Sequence, residues 1–155
     1  MKKKFFIIPI FLILLSCGFK PINQKNSATI SIQNLEVIGE QRIAYILKNN
    51  ILLISSKDAK NKYDATIKIQ KEKNSKIKDK TGKTTRYSLY ISADLELTSL
   101  NDGKKIQKIF SRTGEYQVAS IHSDTIVNEN VATKTIIQQV SDDILTFLTL
   151  AMRSL

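Results

Sequence analysis

Two periods of apolar residues divide the chain. Tyr63, Ala65, Ile67 and Ile69 alternate with Asp64, Thr66, Lys68 and Gln70. Further on, Tyr87, Leu89, Ile91, Ala93, Leu95 and Leu97 alternate with Ser88, Tyr90, Ser92, Asp94, Glu96 and Thr98. Period two is that of a strand with one buried and one wet face. Asn101-Asp102-Gly103 is a turn signal, and it predicts a further strand over 105–118 that closes an antiparallel meander. Nearer the start, Ile30, Ile32 and Leu35 predict a strand over 29–36, broken by Gly39. Elsewhere the steps are three and four residues. Ile43, Ile46, Leu47, Ile51 and Ile54 predict an amphipathic helix over 40–53, although the run 51–54 also fits a short strand. Residues 55–62 form a polar connection. Ile137, Val140, Ile144, Leu148 and Ala151 share one stripe of a last helix over 124–152, with Ser123 or Asp124 at its start.

The resulting order is β-α-β-β-β-α. Two amphipathic helices suffice to cover the apolar face of four strands. The expected fold is therefore a two-layer α+β domain, a mainly antiparallel sheet with both helices on one face. Neither an internal repeat nor a second domain is seen, and 155 residues suit one domain.

The first residues follow another logic. Met1-Lys2-Lys3-Lys4 is a basic start, and Phe5 to Leu15 is an apolar run interrupted by Pro9. The run is too short for an ordinary membrane span and reads as a secretory signal. Leu14-Leu15-Ser16-Cys17 then matches the bacterial lipoprotein pattern, with Leu at −3, a small residue at −1 and Cys at +1. Leu15 is bulkier than is usual at −2. Cys17, the only cysteine, is thereby predicted to carry a diacylglyceryl group and an N-acyl chain such as palmitate, enough for stable anchoring. Gly18 follows where Asp would favour the inner membrane, so the outer membrane is expected, with the body facing the periplasm. The divisions are then 1–16 signal peptide, 17–28 lipidated tether and 29–155 a single domain.

Composition removes several classes. One Cys and one His allow neither an intrachain disulfide nor a Cys/His zinc site, and no metal or other cofactor is expected. A nucleophilic triad would have to use His122, which lies in a polar linker (Ser120-Ile121-His122-Ser123) with no nucleophile elbow nearby. Asp142-Asp143 and Asp94/Glu96 are carboxylate pairs without an apolar pocket. Phosphate-cradling glycine loops are absent, so no catalytic residue and no enzyme is predicted. The net charge of +10 is weak testimony by itself, since 20 of the 24 basic residues are lysine in a chain rich in Ile, Lys and Asn.

Location of charge says more. The segment 71–86, KEKNSKIKDKTGKTTR, holds seven basic residues against Glu72 and Asp79, a net +5 of the +7 left after removal of the signal. Lys80-Thr81-Gly82 supplies turn chemistry. Held at a membrane, such a hairpin attracts phosphates or anionic head groups. Equally, lysines on a solvated hairpin protect an exposed sheet edge from aggregation. Nucleic acid fits poorly, because no aromatic residues interleave with the lysines.

Cys17-Gly18-Phe19-Lys20-Pro21, Gly39 with Arg42 in the following helical turn, and Tyr63-Asp64-Ala65 carry a resemblance to the LptE family of lipopolysaccharide-assembly lipoproteins. It extends to Arg86-Tyr87 and to Gly114-Glu115-Tyr116 before the final helix, covering nearly all of 17–155. It implies a small sheet with two helices. It also implies a plug inside an LptD-type outer-membrane β-barrel that assists assembly of that barrel and binds lipopolysaccharide on its way to the outer leaflet. Family members carry a basic residue beside the central Gly turn, and Lys80 stands there. A second family position, before the last helix, finds no Lys or Arg in 120–123. The expected ligand-binding set is therefore Lys76, Lys78, Lys80, Lys83 and Arg86 on one hairpin. The alternative function is an auxiliary lipoprotein of an envelope lipid ABC-transport system. A peptidoglycan-binding spacer is a third reading that no residue favours.

Overall fold

The structure, a computed structural model, describes residues 30–53, 55–56 and 59–151; Cys17 and the predicted signal and tether lie outside them. Six elements follow in the expected order: β1 (Ile30–Ile38), α1 (Gln41–Leu52), β2 (Asn61–Lys78), β3 (Thr84–Ser99), β4 (Lys105–Gln117) and α2 (His122–Ala151). The sheet runs β1-β2-β3-β4. β2, β3 and β4 form the antiparallel meander, and β1 joins β2 in parallel through the α1 crossover. The fold is α+β, with a mixed and mostly antiparallel sheet.

The apolar alternation decides which face the helices cover. Tyr63, Ala65, Ile67 and Ile69 of β2 and Leu89, Ile91, Ala93, Leu95 and Leu97 of β3 are all buried. Against them lie Ile43, Leu47 and Ile51 from α1 and Ile136, Ile137, Val140, Ile144 and Leu148 from α2. The 51–54 ambiguity resolves as helix through Leu52. Ile54 lies outside the described residues. On the opposite face of β3, Ser88, Tyr90, Asp94 and Glu96 are only half exposed and Ser92 is buried, because this strand has a neighbour on each side.

One boundary moves far. The alternation of β2 stops near Gln70, yet the strand continues to Lys78. Cross-strand pairing with β3, not burial, carries this polar stretch, with register irregularities after Ser75 and Ile77. Opposite ends of the sheet are thereby defined. Ile30 pairs with Asn61 at one end, and the 79–83 turn closes the other.

Gly39 makes the abrupt β1–α1 junction possible. Its φ is +149°, and a Cβ built there would stand 2.9 Å from Ile69 Cβ and 3.0 Å from Ile69 O.

Candidate functional site

The β2–β3 hairpin tip is organised by one carboxylate. Asp79 Oδ1 accepts hydrogen bonds from the backbone N–H of Thr81 (2.8 Å), the Thr81 hydroxyl (2.6 Å) and the backbone N–H of Lys83 (3.0 Å). Two backbone bonds close the turn, Asp79 N–H to Lys83 O and Gly82 N–H to Asp79 O. Gly82 takes φ +83°, where a side chain would be strained. The Thr81 hydroxyl first, then the two backbone donors and the Lys83 charge, hold the Asp79 carboxyl below the usual carboxylate range. One of the two acidic residues of the segment thus serves the turn itself.

The five predicted binding residues separate into two groups. Lys76 and Arg86 both pair with Glu115 of β4, Arg86 at 3.6 Å. Lys78, Lys80 and Lys83 are exposed and make no ion pair among the described residues. Three ammonium groups without an ion pair among the described residues therefore remain around a glycine turn, with Lys83 still within the field of Asp79. Their stems are free to adapt, which suits an anion of broad shape more than a single bidentate partner.

Beneath the tip lies an ionic and aromatic layer that the sequence did not reveal. Lys71 and Lys73 belong to the helix-facing side of β2 and reach α2. Lys73 Nζ is 2.7 Å from Glu129 Oε2, and Lys71 Nζ is 3.5 Å from Glu129 Oε1 and 3.3 Å from Glu40. The Tyr116 hydroxyl donates to Glu129 Oε2 at 2.8 Å. Tyr87 and Tyr116 stack with centroids 5.5 Å apart, and Lys73 Nζ sits 4.5 Å from the Tyr87 centroid. Burial alone would raise the Glu129 pKa, but the Lys73 ammonium, the Tyr116 hydroxyl and Lys71 outweigh it and leave the carboxyl below its ordinary value. Lys73 is likewise raised above its ordinary range, since Glu129 and Tyr116 overcome its desolvation.

The sign of the pH dependence follows. Glu129 stabilises the fold above its unfolded pKa, and the contribution is lost as pH falls through the depressed folded value. The Lys73 contribution persists until pH rises through its raised folded value. The root of the hairpin is therefore firmest between about pH 5 and 10. Replacing Glu129 by Gln is expected to cost roughly 1–2 kcal/mol at neutral pH, because two ammonium groups lose their shared carboxylate. It should also flatten the loss of stability as pH falls below about 5. Urea unfolding at several pH values measures both effects.

Segment 118–122 packs beside this layer. Val118 N–H bonds to Thr85 O, and the Thr125 hydroxyl accepts from Ala119 N–H at 2.9 Å. A hollow of about 350 Å³ opens there, lined by Lys73, Lys83, Thr84, Tyr87, His122 and Thr125 among others. No Lys or Arg occurs in 120–123, but Lys83 approaches this segment from the hairpin. The carboxylate pairs are engaged elsewhere: Asp143 with Arg112 at 2.7 and 2.8 Å, Glu96 with Lys105 at 2.9 Å, and Asp94 with the Gln107 amide. Among the described residues no cluster of three His, Cys, Asp or Glu side chains could hold a metal, and no helix is long and apolar enough to cross a membrane.

No family model and no curated protein matches the sequence. Among solved structures, the fold is similar to that of a candidate lipoprotein from Caulobacter crescentus. The two share 13% identity over 84% of this chain and 95% of that chain, with a TM-score of 0.56. It is also similar to rare lipoprotein B from Shewanella oneidensis, at 10% identity over 80% of this chain and 96% of that one, with a TM-score of 0.51. At such identities the likeness is one of fold.

Proposed function

We propose that this chain is a lipid-anchored outer-membrane protein of the LptE type. In this reading Cys17 bears the lipid, the body plugs an LptD-type β-barrel and assists its assembly, and the hairpin tip binds lipopolysaccharide during delivery to the outer leaflet. The observation that carries the reading is the trio Lys78, Lys80 and Lys83, exposed around Gly82 and without an ion pair among the described residues. Lipid A phosphates are anionic and widely spaced, and flexible ammonium groups can meet them without fixed geometry. The lipoprotein signal supports the anchor. The fold shared with rare lipoprotein B is consistent with a lipoprotein body. The uncovered sheet face, with Ser88, Tyr90, Asp94 and Glu96, has the polarity that a barrel lumen accepts. No catalytic step and no cofactor enters this proposal.

Affinity purification tests the partnership. The full chain, tagged after Leu155, is drawn from outer membranes in mild detergent and its companions are identified. One large β-barrel protein in equal amount is the expected result. Recovery of an ATPase–permease complex would transfer the function to a lipid-transport auxiliary, and recovery of no companion would remove the plug.

A further inference from the structure

The two edges of the sheet are treated differently. β1 is short, has a register irregularity between Ile32 and Asn34, and is met by the 55–56 segment: Ile32 N–H donates to Ser55 Oγ at 2.9 Å, and Ser56 N–H to Ile30 O at 3.1 Å. β4 has none of these protections. Its register with β3 runs without a break from Arg86↔Gln117 to Thr98↔Lys105. It contains no proline, and no described strand pairs with its outer side. A long, regular, open edge is a template for strand addition, and here Lys105, Lys108 and Arg112 supply charge that discourages indiscriminate pairing.

Ser99 N–H bonds to Lys104 O and Val118 N–H bonds to Thr85 O, one at each end of the ladder. Antiparallel alternation then turns the N–H and C=O of even-numbered β4 residues toward β3 and those of odd-numbered residues outward. Ile109, Ser111 and Thr113 offer their backbone groups to the outside. Beside this edge a groove of about 560 Å³ runs between β4 and α2, lined by Thr113, Gly114, Gln117, Val131, Ala132 and Thr135 among others. Val131 is 60% exposed in it, and Ile109 is 65% exposed on the other face of the strand.

We infer that β4 accepts an extended strand from another polypeptide, one that is apolar at alternate positions and carries a carboxylate. Charge selects this occupant. Lys105 and Arg112 are already paired with Glu96 and Asp143, but Lys108 makes no ion pair among the described residues and lies over the rings of Phe110 and Phe147, at 5.3 and 4.4 Å from their centroids. A second copy would bring another unanswered Lys108. A carboxylate opposite Lys108 satisfies it. Six residues along the incoming strand, on the same side, a large apolar residue opposite Gly114 fills the groove beside Val131. An apolar residue opposite Ile109 covers the other face. Main-chain pairing supplies affinity, and these side-chain positions supply selectivity. The inference is independent of lipopolysaccharide binding.

Photocrosslinking from the full chain in its native membrane tests it. A benzophenone amino acid replaces Ile109 or Thr113, with Thr66 on β2 as the control position. Both β4 positions are expected to label one continuous segment of one other protein, at sites offset as two paired strands require, while the control does not label it. Ser111→Pro removes an outward donor without taking a β3–β4 bond, and Lys108→Glu reverses the selecting charge. Ser111→Pro should reduce the product by at least about tenfold, with Lys108→Glu weaker in the same direction. Product formed within the chain or with a second copy would overturn the proposal, as would no product. So would labelling that survives both substitutions while circular dichroism shows the fold unchanged.

Discussion

Reversing Lys78, Lys80 and Lys83 to Glu is expected to lower affinity for lipopolysaccharide by about a hundredfold or more while leaving the fold in place. Near an anionic surface each lysine contributes about 1 kcal/mol, so loss of three amounts to roughly two decades before any repulsion is added. The fold should survive because none of the three is buried and none makes an ion pair among the described residues. Asp79, which does hold the turn, is untouched. Lys76→Glu makes a contrasting variant. Lys76 already faces Glu115, so its reversal places two carboxylates together and should disturb the hairpin more than the binding. Direct titration with purified lipopolysaccharide at two salt concentrations reads the effect. Equal affinity of the triple variant and the parent would exclude the tip as the ligand site.

Gly39→Ala is expected to be the most damaging single-atom change to the framework, costing about 2–4 kcal/mol. Two independent penalties combine. The backbone at φ +149° disfavours any side chain, and the new methyl carbon would meet Ile69 Cβ at 2.9 Å and the Ile69 carbonyl oxygen at 3.0 Å. Ile69 belongs to the continuous β2 ladder, so the obstacle is backbone and cannot swing aside. Relief would require β1 and α1 to part from β2. Thermal unfolding should show a midpoint lower by roughly 10 °C.

Sequence periodicity conveyed the framework because burial wrote it. Every second residue from Tyr63 to Ile69 in β2 and from Leu89 to Leu97 in β3, and the 137–140–144–148 stripe of α2, carries its instruction locally in an apolar side chain. The unread parts depend on partners distant in the chain. Residues 71–78 look like a solvated basic run, yet Lys71 and Lys73 face inward because Glu129 waits on a helix more than fifty residues later. The same holds for the five residues predicted to bind a ligand. Five cations lie within eleven residues, and nothing local says that Glu115 neutralises two of them and leaves three. Helix α2 begins at His122, ahead of Ser123 and Asp124, where the Thr125 hydroxyl engages Ala119 and Ile121. Strand pairing also went unread. Ile30 and Ile32 predicted a strand, but only the α1 crossover makes it run parallel to β2.

The extra length of β2 makes the strand long enough to compare with a membrane. Its 18 residues cover about 55 Å at ~3.3 Å per residue, from the level of Ile30 to the lysine tip. A bilayer with its head groups is about 40–45 Å thick. A lipid on Cys17 would be joined to Ile30 by a leash of at most about 45 Å. On the function proposed above, with the lipid in one leaflet and the body upright in a barrel, a rod of this length reaches far enough to bring Lys78, Lys80 and Lys83 to the level of the opposite leaflet. Lying flat, it would present them to the leaflet of its own anchor. The orientation of one strand would thus select which side of the membrane the charge addresses.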